Sequence, residues 1–323
     1  GFRAFPFDYH EEIELEIDTL TNMGKGLGRT HDGWVVFVPF CLPDERVLAR
    51  IYRNDKNFSE ADLVKVIKES PERISPHCEL FGQCGGCQYQ NLSYKSQLKW
   101  KRRQLSELIR HMVGMEFPVA QVTPSPIEYG YRSKITPHFD KPRNNTIEAI
   151  GFQRAGRRKL IDVEQCAIAH PAINDHLTEV RDTIRQSSSS YKKGSTILLR
   201  ADDNNTVHTK PGSIAVDRVD GIEFQYPAGS FFQNNPSILE AFTHHVKLAA
   251  SADEATHMID AYCGAGLFAL TAASKFKETI GIEVSEESVY WARKNAEINS
   301  IANVRFITGK VEEFFAEISF PGK

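Results

Sequence analysis

Cys78, Cys84 and Cys87 stand in the run C-E-L-F-G-Q-C-G-G-C, and Cys166 follows far downstream. Soft thiolates in such a set select zinc or an iron–sulfur cluster rather than magnesium or calcium. Gly85 and Gly86 lack Cβ atoms, so the backbone there is able to fold closely around an inorganic core and aim N–H groups at its sulfurs. The uneven C-x5-C-x2-C spacing favours a cluster over the paired C-x2-C knuckles of structural zinc. Zinc and unligated buried thiols are the alternatives.

A second chemical constellation is Asp260-Ala-Tyr262-Cys263-Gly264-Ala-Gly266-Leu-Phe-Ala269, which satisfies G-x-G-x-x-G/A, with Glu283 placed 19 positions after Gly264. Glycines there let a ligand approach the backbone, and an acid ending the next strand accepts ribose hydroxyls. NAD and S-adenosylmethionine both fit this pattern. Two points favour the methyl donor: Asp260 is placed to face a cationic group, and no Lys or Arg near the loop would anchor a pyrophosphate. Cys263 reads as a small packing residue and Cys41 as a buried strand residue.

Upstream lies Gly229-Ser-Phe231-Phe232-Gln233-Asn-Asn235-Pro236. One reading is core packing, with Asn235 capping a helix that Pro236 begins. The other is an aromatic stacked on an extruded base while Gln233 hydrogen-bonds the donor.

The elements that must position these groups divide the chain into three regions, 1–70, 71–225 and 226–323. In the first, Ile13, Leu15 and Ile17 alternate with Glu14, Glu16 and Asp18, the period of a half-buried strand. Gly24, Gly26 and Gly28 read as a flexible turn, and Trp34–Pro39 and Val47–Tyr52 as further strands. Together they predict an OB-like β-barrel, a common platform for single-stranded nucleic acid. A helix is expected over 93–112, capped by Ser93, with Leu98, Leu105, Leu108 and Ile109 on its apolar side and Lys101, Arg102 and Arg103 elsewhere, either a merely solvated face or one placed for phosphate. The central region is expected to be mixed α/β, with strands near 131–139, 147–153, 196–200 and 205–209 and an exposed loop at Ser187–Ser190. From 226, strands at Met258–Ala261, Thr279–Glu283 and Val304–Ile307 alternate with helices at Leu267–Lys275, Ser285–Ser300 and Val311–Ile318, the start of a doubly wound parallel sheet. The fold class is therefore α/β.

The 323 residues carry 25% charged and 41% hydrophobic side chains and a net charge of only −3, so any nucleic-acid face must be local. Lys95, Lys99, Lys101, Arg102, Arg103 and Arg110 form one basic stretch; Arg154, Arg157, Arg158 and Lys159 form another. Six cysteines are too few for a secreted disulfide scaffold and fit an intracellular setting. No apolar run reaches membrane-spanning length, so no membrane partner is expected. The sequence begins without Met and stops within the alternating pattern, which reads as a fragment.

In combination these motifs resemble the RNA (uracil-C5) methyltransferases, and the phrases F-G-Q-C-G-G-C-Q-Y-Q and G-F-Q-R-A-G-R-R-K look most like the eukaryotic, fungal-type enzymes that make 5-methyluridine in the T-loop of tRNA. The resemblance implies an N-terminal TRAM barrel, a central RNA-binding region with an iron–sulfur site, and a Rossmann-like methyltransferase domain, incomplete at its end. It implies that Cys78, Cys84, Cys87 and Cys166 hold a [4Fe–4S] cluster, that Gln233, Tyr262 and Glu283 contact S-adenosylmethionine beside Gly264 and Gly266, and that Phe231 lies against the uracil. Lys310 and Leu267 depart from the residues that some relatives carry. The family's nucleophilic Cys and general base would fall beyond Lys323, so the fragment by itself is expected not to turn over. The partner is expected to be tRNA, with ribosomal RNA or a purely RNA-binding module as alternatives, and the protein to be a monomer.

Overall fold

The computed structural model describes residues 2–252, 255–314 and 318, and contacts divide the chain into two compact units. One comprises Gly1–Pro124 and Phe152–Ile161; the other comprises Ser125–Gly151 and Asp162–Lys323. The region 71–225 contributes to both.

The first unit opens with five strands, β1 (Glu12–Leu20), β2 (Gly26–Arg29), β3 (Val35–Val38), β4 (Arg46–Asn54) and β5 (Phe58–Lys68), closed into a barrel in the order β1-β2-β3-β5-β4. Inward positions are Leu15, Ile17, Val36, Val38, Val47, Ala49, Ile51 and Ala61, and Cys41 is buried among them. Each buried Val, Leu or Ile among them contributes about 1.5–3 kcal/mol by leaving water. Gly26 and Gly28 are not a flexible turn but part of β2: a Cβ at Gly28 would stand 2.3 Å from the Glu16 carbonyl oxygen, so only glycine fits that approach. Burial pushes the Cys41 thiol up to about 12.

α1 (Tyr94–Val113) begins where expected, with Ser93 Oγ accepting the Ser96 N–H. Its buried face differs from the sequence reading. Ser96, Trp100 and Gln104 turn inward, whereas Leu105 and Leu108 are exposed. Gln104 Nε2 donates to the Thr21 carbonyl at 2.6 Å and Tyr89 Oη at 2.7 Å, and Ser96 Oγ donates to Glu72 at 3.0 Å. Trp100 packs with Leu20, Leu42 and Leu92, and the hydrogen bonds of Ser96 and Gln104 flank it, so this side packs rather than that of Leu105 and Leu108.

In the second unit come β6 (Lys134–Ile135) and β7 (His138–Phe139); β8 (Ile150–Gln153) and β9 (Leu160–Asp162) carry the chain across to the first unit and back. α2 (Pro171–Gln186) buries Ile173, Leu177 and Ile184, and Arg181 Nη1 donates to the Ile150 and Val163 carbonyls, each at 2.7 Å. Ser188–Ser190 form a 3₁₀ turn rather than an irregular loop; Ser188 is buried, while Ser189 and Ser190 are exposed as expected. β10 (Ser195–Thr196), β11 (Leu199–Ala201) and β12 (Val207–His208) lead into the hairpin of β13 (Ile214–Val219) and β14 (Ile222–Pro227).

Then follow α3 (Leu239–Ala250), β15 (His257–Ala261), α4 (Leu267–Ala272), β16 (Glu278–Glu283), α5 (Glu286–Ile298), β17 (Val304–Thr308) and α6 (Val311–Phe314). β15, β16 and β17 run parallel in that order, as the alternation predicted. Ser285 caps α5 by accepting the Ser288 N–H at 3.3 Å. Residues 315–317 of the last expected helix lie outside the described residues.

Candidate functional site

The bend after β15 is built by backbone that side chains rarely adopt: φ is 62° at Tyr262, 53° at Gly264 and 90° at Gly266. The two glycines do different work. At Gly266 a Cβ would meet Phe306 Cζ at 3.1 Å, so this glycine seats the loop on the sheet. At Gly264 a Cβ would meet nothing within 4 Å, so the backbone there faces open space that a ligand can enter. Cys263 packs beneath the bend, 6% exposed, and burial raises its thiol far above the usual range, with the Asp260 and Glu283 charges adding to it. It is the packing residue expected.

Glu283 ends β16 against the same bend. Its Oε2 accepts the Gly264 N–H at 3.1 Å and its Oε1 the Ser285 N–H at 2.9 Å. An ionised carboxylate has about four lone-pair sites, so two remain for hydroxyl donors. Asp260 takes a different part from the one expected. It is 7% exposed, and its Oδ2 accepts the Ala269 N–H of α4 at 2.9 Å, a helix-anchoring bond rather than an outward-facing charge. Burial lifts its carboxyl to about 6; the Ala269 bond opposes that rise, and Glu283 adds to it. Tyr262 is exposed, and its hydroxyl donates to Glu312 Oε1 at 2.7 Å. Lys310 pairs with Glu313 at 3.1 Å.

The two phenylalanines of the upstream loop divide its two readings between them. Phe232 is 4% exposed and stacks on Tyr226, with ring centres 4.3 Å apart; Phe231 is 76% exposed. Gln233 is half-buried. Asn235 does not cap the helix through its side chain. Its Oδ1 accepts from Ser237 Oγ at 2.6 Å and its Nδ2 donates to Ser125 Oγ at 3.0 Å, and Pro236 opens a 3₁₀ turn ahead of α3. Ser230 Oγ donates to Glu287 Oε2 of α5 at 2.8 Å. Phe232, Cys263, Leu267 and Phe306 belong to one buried cluster, so this loop and the β15 bend are rooted together.

Three residues that sequence reasoning missed hold this arrangement. Arg200 is fully buried; its Nε donates to the Ala228 carbonyl at 2.9 Å and its Nη2 to the Ser230 carbonyl at 3.1 Å, and its guanidinium lies 5.1 Å from the Tyr226 ring centre. Lys134 Nζ reaches the Gly229 carbonyl at 2.7 Å, and burial, then the Arg200 charge, lowers its pKa. Asn295 of α5 donates to the Ala265 carbonyl at 3.2 Å and accepts the Gln225 N–H at 2.8 Å, tying the bend to β14.

The remaining candidates lie elsewhere. Cys78, Cys84 and Cys87 sit on a turn-rich segment of the first unit, where Cys78 N–H donates to Gln90 Oε1 at 2.9 Å and Cys84 N–H to the Leu80 carbonyl at 2.9 Å. Cys166 belongs to the second unit, its N–H donating to Asn174 Oδ1 at 2.8 Å. All four are half-buried thiols, and among the described residues no group of three or more His, Cys, Asp or Glu is gathered to hold a metal ion. Lys101, Arg102 and Arg103 are exposed on α1; Arg102 donates to the Val119 carbonyl at 2.8 Å, and Arg103 pairs with Glu107 at 2.8 Å. No helix among the described residues is long and apolar enough to cross a membrane.

Comparison with known proteins agrees with this geometry. Residues 211–319 match the family described as tRNA (Uracil-5-)-methyltransferase, and residues 10–64 match the TRAM domain. The chain is 36% identical over 336 residues to a tRNA (uracil(54)-C(5))-methyltransferase of Schizosaccharomyces pombe, an alignment covering 98% of this chain and 64% of that protein. It is 32% identical over 393 residues to the protein of the same description from Saccharomyces cerevisiae, covering 98% and 62%. The chain thus spans a little under two thirds of the length of these relatives. A crystal structure of Pyrococcus abyssi tRNA (uracil-54, C5)-methyltransferase in complex with S-adenosyl-L-homocysteine superposes with a TM-score of 0.69 at 20% identity, over 92% of this chain and 80% of that one. The two share a fold.

Proposed function

We propose that this chain belongs to the RNA uracil-5-methyltransferase family with a TRAM domain and carries the donor-binding and RNA-contacting parts of an enzyme that methylates C5 of a uracil in tRNA. The observation that carries this reading is the common root of two loops. The open backbone at Gly264, beside Glu283, and the exposed ring of Phe231 project from one buried cluster, as a site joining a methyl donor to a flipped base requires.

In this reading Glu283 grips the ribose hydroxyls, Gly264 and Gly266 let the donor lie against the backbone, and Gln233 and Tyr262 contact its remaining parts. S-adenosylmethionine would supply the methyl group as a sulfonium. Phe231 stacks on the target uracil. Uracil C5 is a poor nucleophile until a thiolate adds to C6, and a base must then remove the C5 proton so that the thiolate can leave. Cys263 is unsuited to that attack, being buried with a raised pKa.

The test is nucleoside mass spectrometry of RNA from cells lacking the intact protein. Loss of 5-methyluridine from tRNA alone is the expected result. Loss from ribosomal RNA alone would move the substrate there, and unchanged nucleosides in both would leave only an RNA-binding module. Binding of NADH but not of S-adenosylmethionine by calorimetry would overturn the donor assignment.

Cys78, Cys84, Cys87 and Cys166 remain candidate ligands for a [4Fe–4S] cluster, zinc being the alternative. The support is donor chemistry, four half-buried thiols with Gly85 and Gly86 between two of them, and not an assembled cage. No step of methyl transfer needs the group. Broad visible absorption with bound iron, both lost in Cys87→Ser, is expected; a colourless protein containing stoichiometric zinc would replace iron, and neither metal would end the assignment.

A further inference from the structure

A cavity of about 520 Å³ opens on the first unit, walled by β4, β5, the Gly82–Gln83 turn and the turn that follows β8. Phe40, Leu63 and Val64 give it an apolar side. Arg50, Arg154, Arg157 and Lys159 give it a cationic side, and Asp62 is the one carboxylate among its lining residues. Arg50 and Arg157 are partly neutralised, by Glu12 and Asp62, each at 2.7 Å. Arg154 and Lys159 make no ion pair among the described residues.

The cations sit on ordered backbone. Arg154 N–H donates to the Lys159 carbonyl at 2.8 Å and Arg157 N–H to the Arg154 carbonyl at 3.1 Å, closing a turn. That turn is laced to the cysteine segment: Ala155 N–H donates to the Gln83 carbonyl at 2.9 Å, and Gly85 N–H to the Gln153 carbonyl at 3.0 Å. Phe40 has a φ of 64°, unusual for a bulky side chain, and its carbonyl is held by Arg73 at 2.9 Å and Asn91 at 3.0 Å. Strained backbone kept by its surroundings recurs at ligand clamps.

We propose that this cavity binds a nucleotide of single-stranded RNA, with its phosphate between Arg154 and Lys159 and its base against Phe40, Leu63 and Val64. An apolar wall flush with unpaired cations matches one nucleotide, whose charged and flat faces are adjacent. The site rests on the reading that the chain handles RNA and adds a contact remote from the donor bend along the sequence.

The experiment uses the whole chain and a fluorescein-labelled, unmodified tRNA transcript, titrated by anisotropy at several salt concentrations. For Arg154→Ala/Lys159→Ala, affinity is expected to fall about tenfold at 0.15 M salt, and the slope of log affinity against log salt to shrink by roughly 0.7–0.9, the loss of one phosphate contact. Lys159→Arg should retain the parent's slope. S-adenosylmethionine affinity, read by calorimetry, should stay at the parent value and report an intact second unit. A double variant with unchanged affinity and slope overturns the site while leaving the enzymatic reading in place. A parent chain that binds donor but not the transcript overturns both. Displacement of the transcript by polyglutamate at equal charge would show a general anion surface and overturn the RNA assignment.

Discussion

Arg200 donates its Nη2–H to the carbonyl of Ser230 at 3.1 Å, one residue before the exposed ring of Phe231. A fully buried cation thus sets the stem of the loop proposed to receive a base. Replacing it leaves the Ala228 and Ser230 carbonyls without their donor; burial raises the Asp217 carboxyl, and the substitution also removes the charge that, with the Tyr226 hydroxyl, opposes that rise. Arg200→Met is expected to cost about 3 kcal/mol in chemical denaturation. Arg200→Lys should recover part of that loss.

The adjacent phenylalanines should separate stability from function. Phe232→Ala opens a hole beside Tyr226 and is expected to cost about 3–5 kcal/mol. Phe231→Ala removes an exposed ring and should leave the denaturation midpoint within the range of about 0.5 kcal/mol. Its effect should appear instead in methyl transfer by the intact enzyme, as a fall in kcat/KM for tRNA with donor affinity unchanged. Equal behaviour of the two variants would remove Phe231 from the proposed site.

Backbone N–H groups of Gly264 and Ser285 each bind a different oxygen of Glu283, so Glu283→Gln keeps an acceptor for one and turns an NH₂ donor towards the other. Donor facing donor distorts the bend and weakens the grip on ribose. S-adenosylmethionine affinity is expected to fall about 10- to 100-fold by calorimetry, the loss of one or two bonds to a charged group. Retained affinity would show that the donor's sugar lies elsewhere.

Asp260 gives the pH dependence of this region a definite sign. Its carboxyl is raised by burial from 3.8 to about 6 in the fold. Between those values the folded chain holds a proton that the unfolded chain has released, so this group favours folding at low pH. That contribution fades as pH rises through about 6, and at neutral pH the buried charge is a standing cost. Asp260→Asn, which keeps an acceptor for the Ala269 N–H, should therefore be about 1–3 kcal/mol more stable than the parent at pH 7.5. The gap should close as pH falls from 6 towards 4, as thermal unfolding across that range will show.

Local pattern carried the parts of this fold that local physics decides. The alternation of Ile13, Leu15 and Ile17 gave the first barrel strand, Ser93 and Ser285 gave two helix starts, and the spacing from Gly264 to Glu283 gave the bend and its acid. The β13–β14 hairpin was equally readable and was missed: Asp220 and Gly221, with φ of 52° and 77°, are the Asp-Gly pair that tight hairpins favour. Other features were beyond sequence. Arg200 meets carbonyls 28 and 30 residues away, and nothing around it in the chain distinguishes it from a surface arginine. The packed face of α1 was misread because Gln104 finds Thr21 across 83 residues, a partner that no helical periodicity reveals.

The barrel closes through β3 beside β5, the one parallel pairing in an otherwise antiparallel ring. A ring has no outermost strand, so its amide and carbonyl rows are spoken for internally and offer no template on which an extended polypeptide could add. What the cylinder presents outward is side chains alone. Its recognition of any guest must therefore be written in charge and ring faces, and can be rewritten by substitution without touching the hydrogen-bonded frame that carries it.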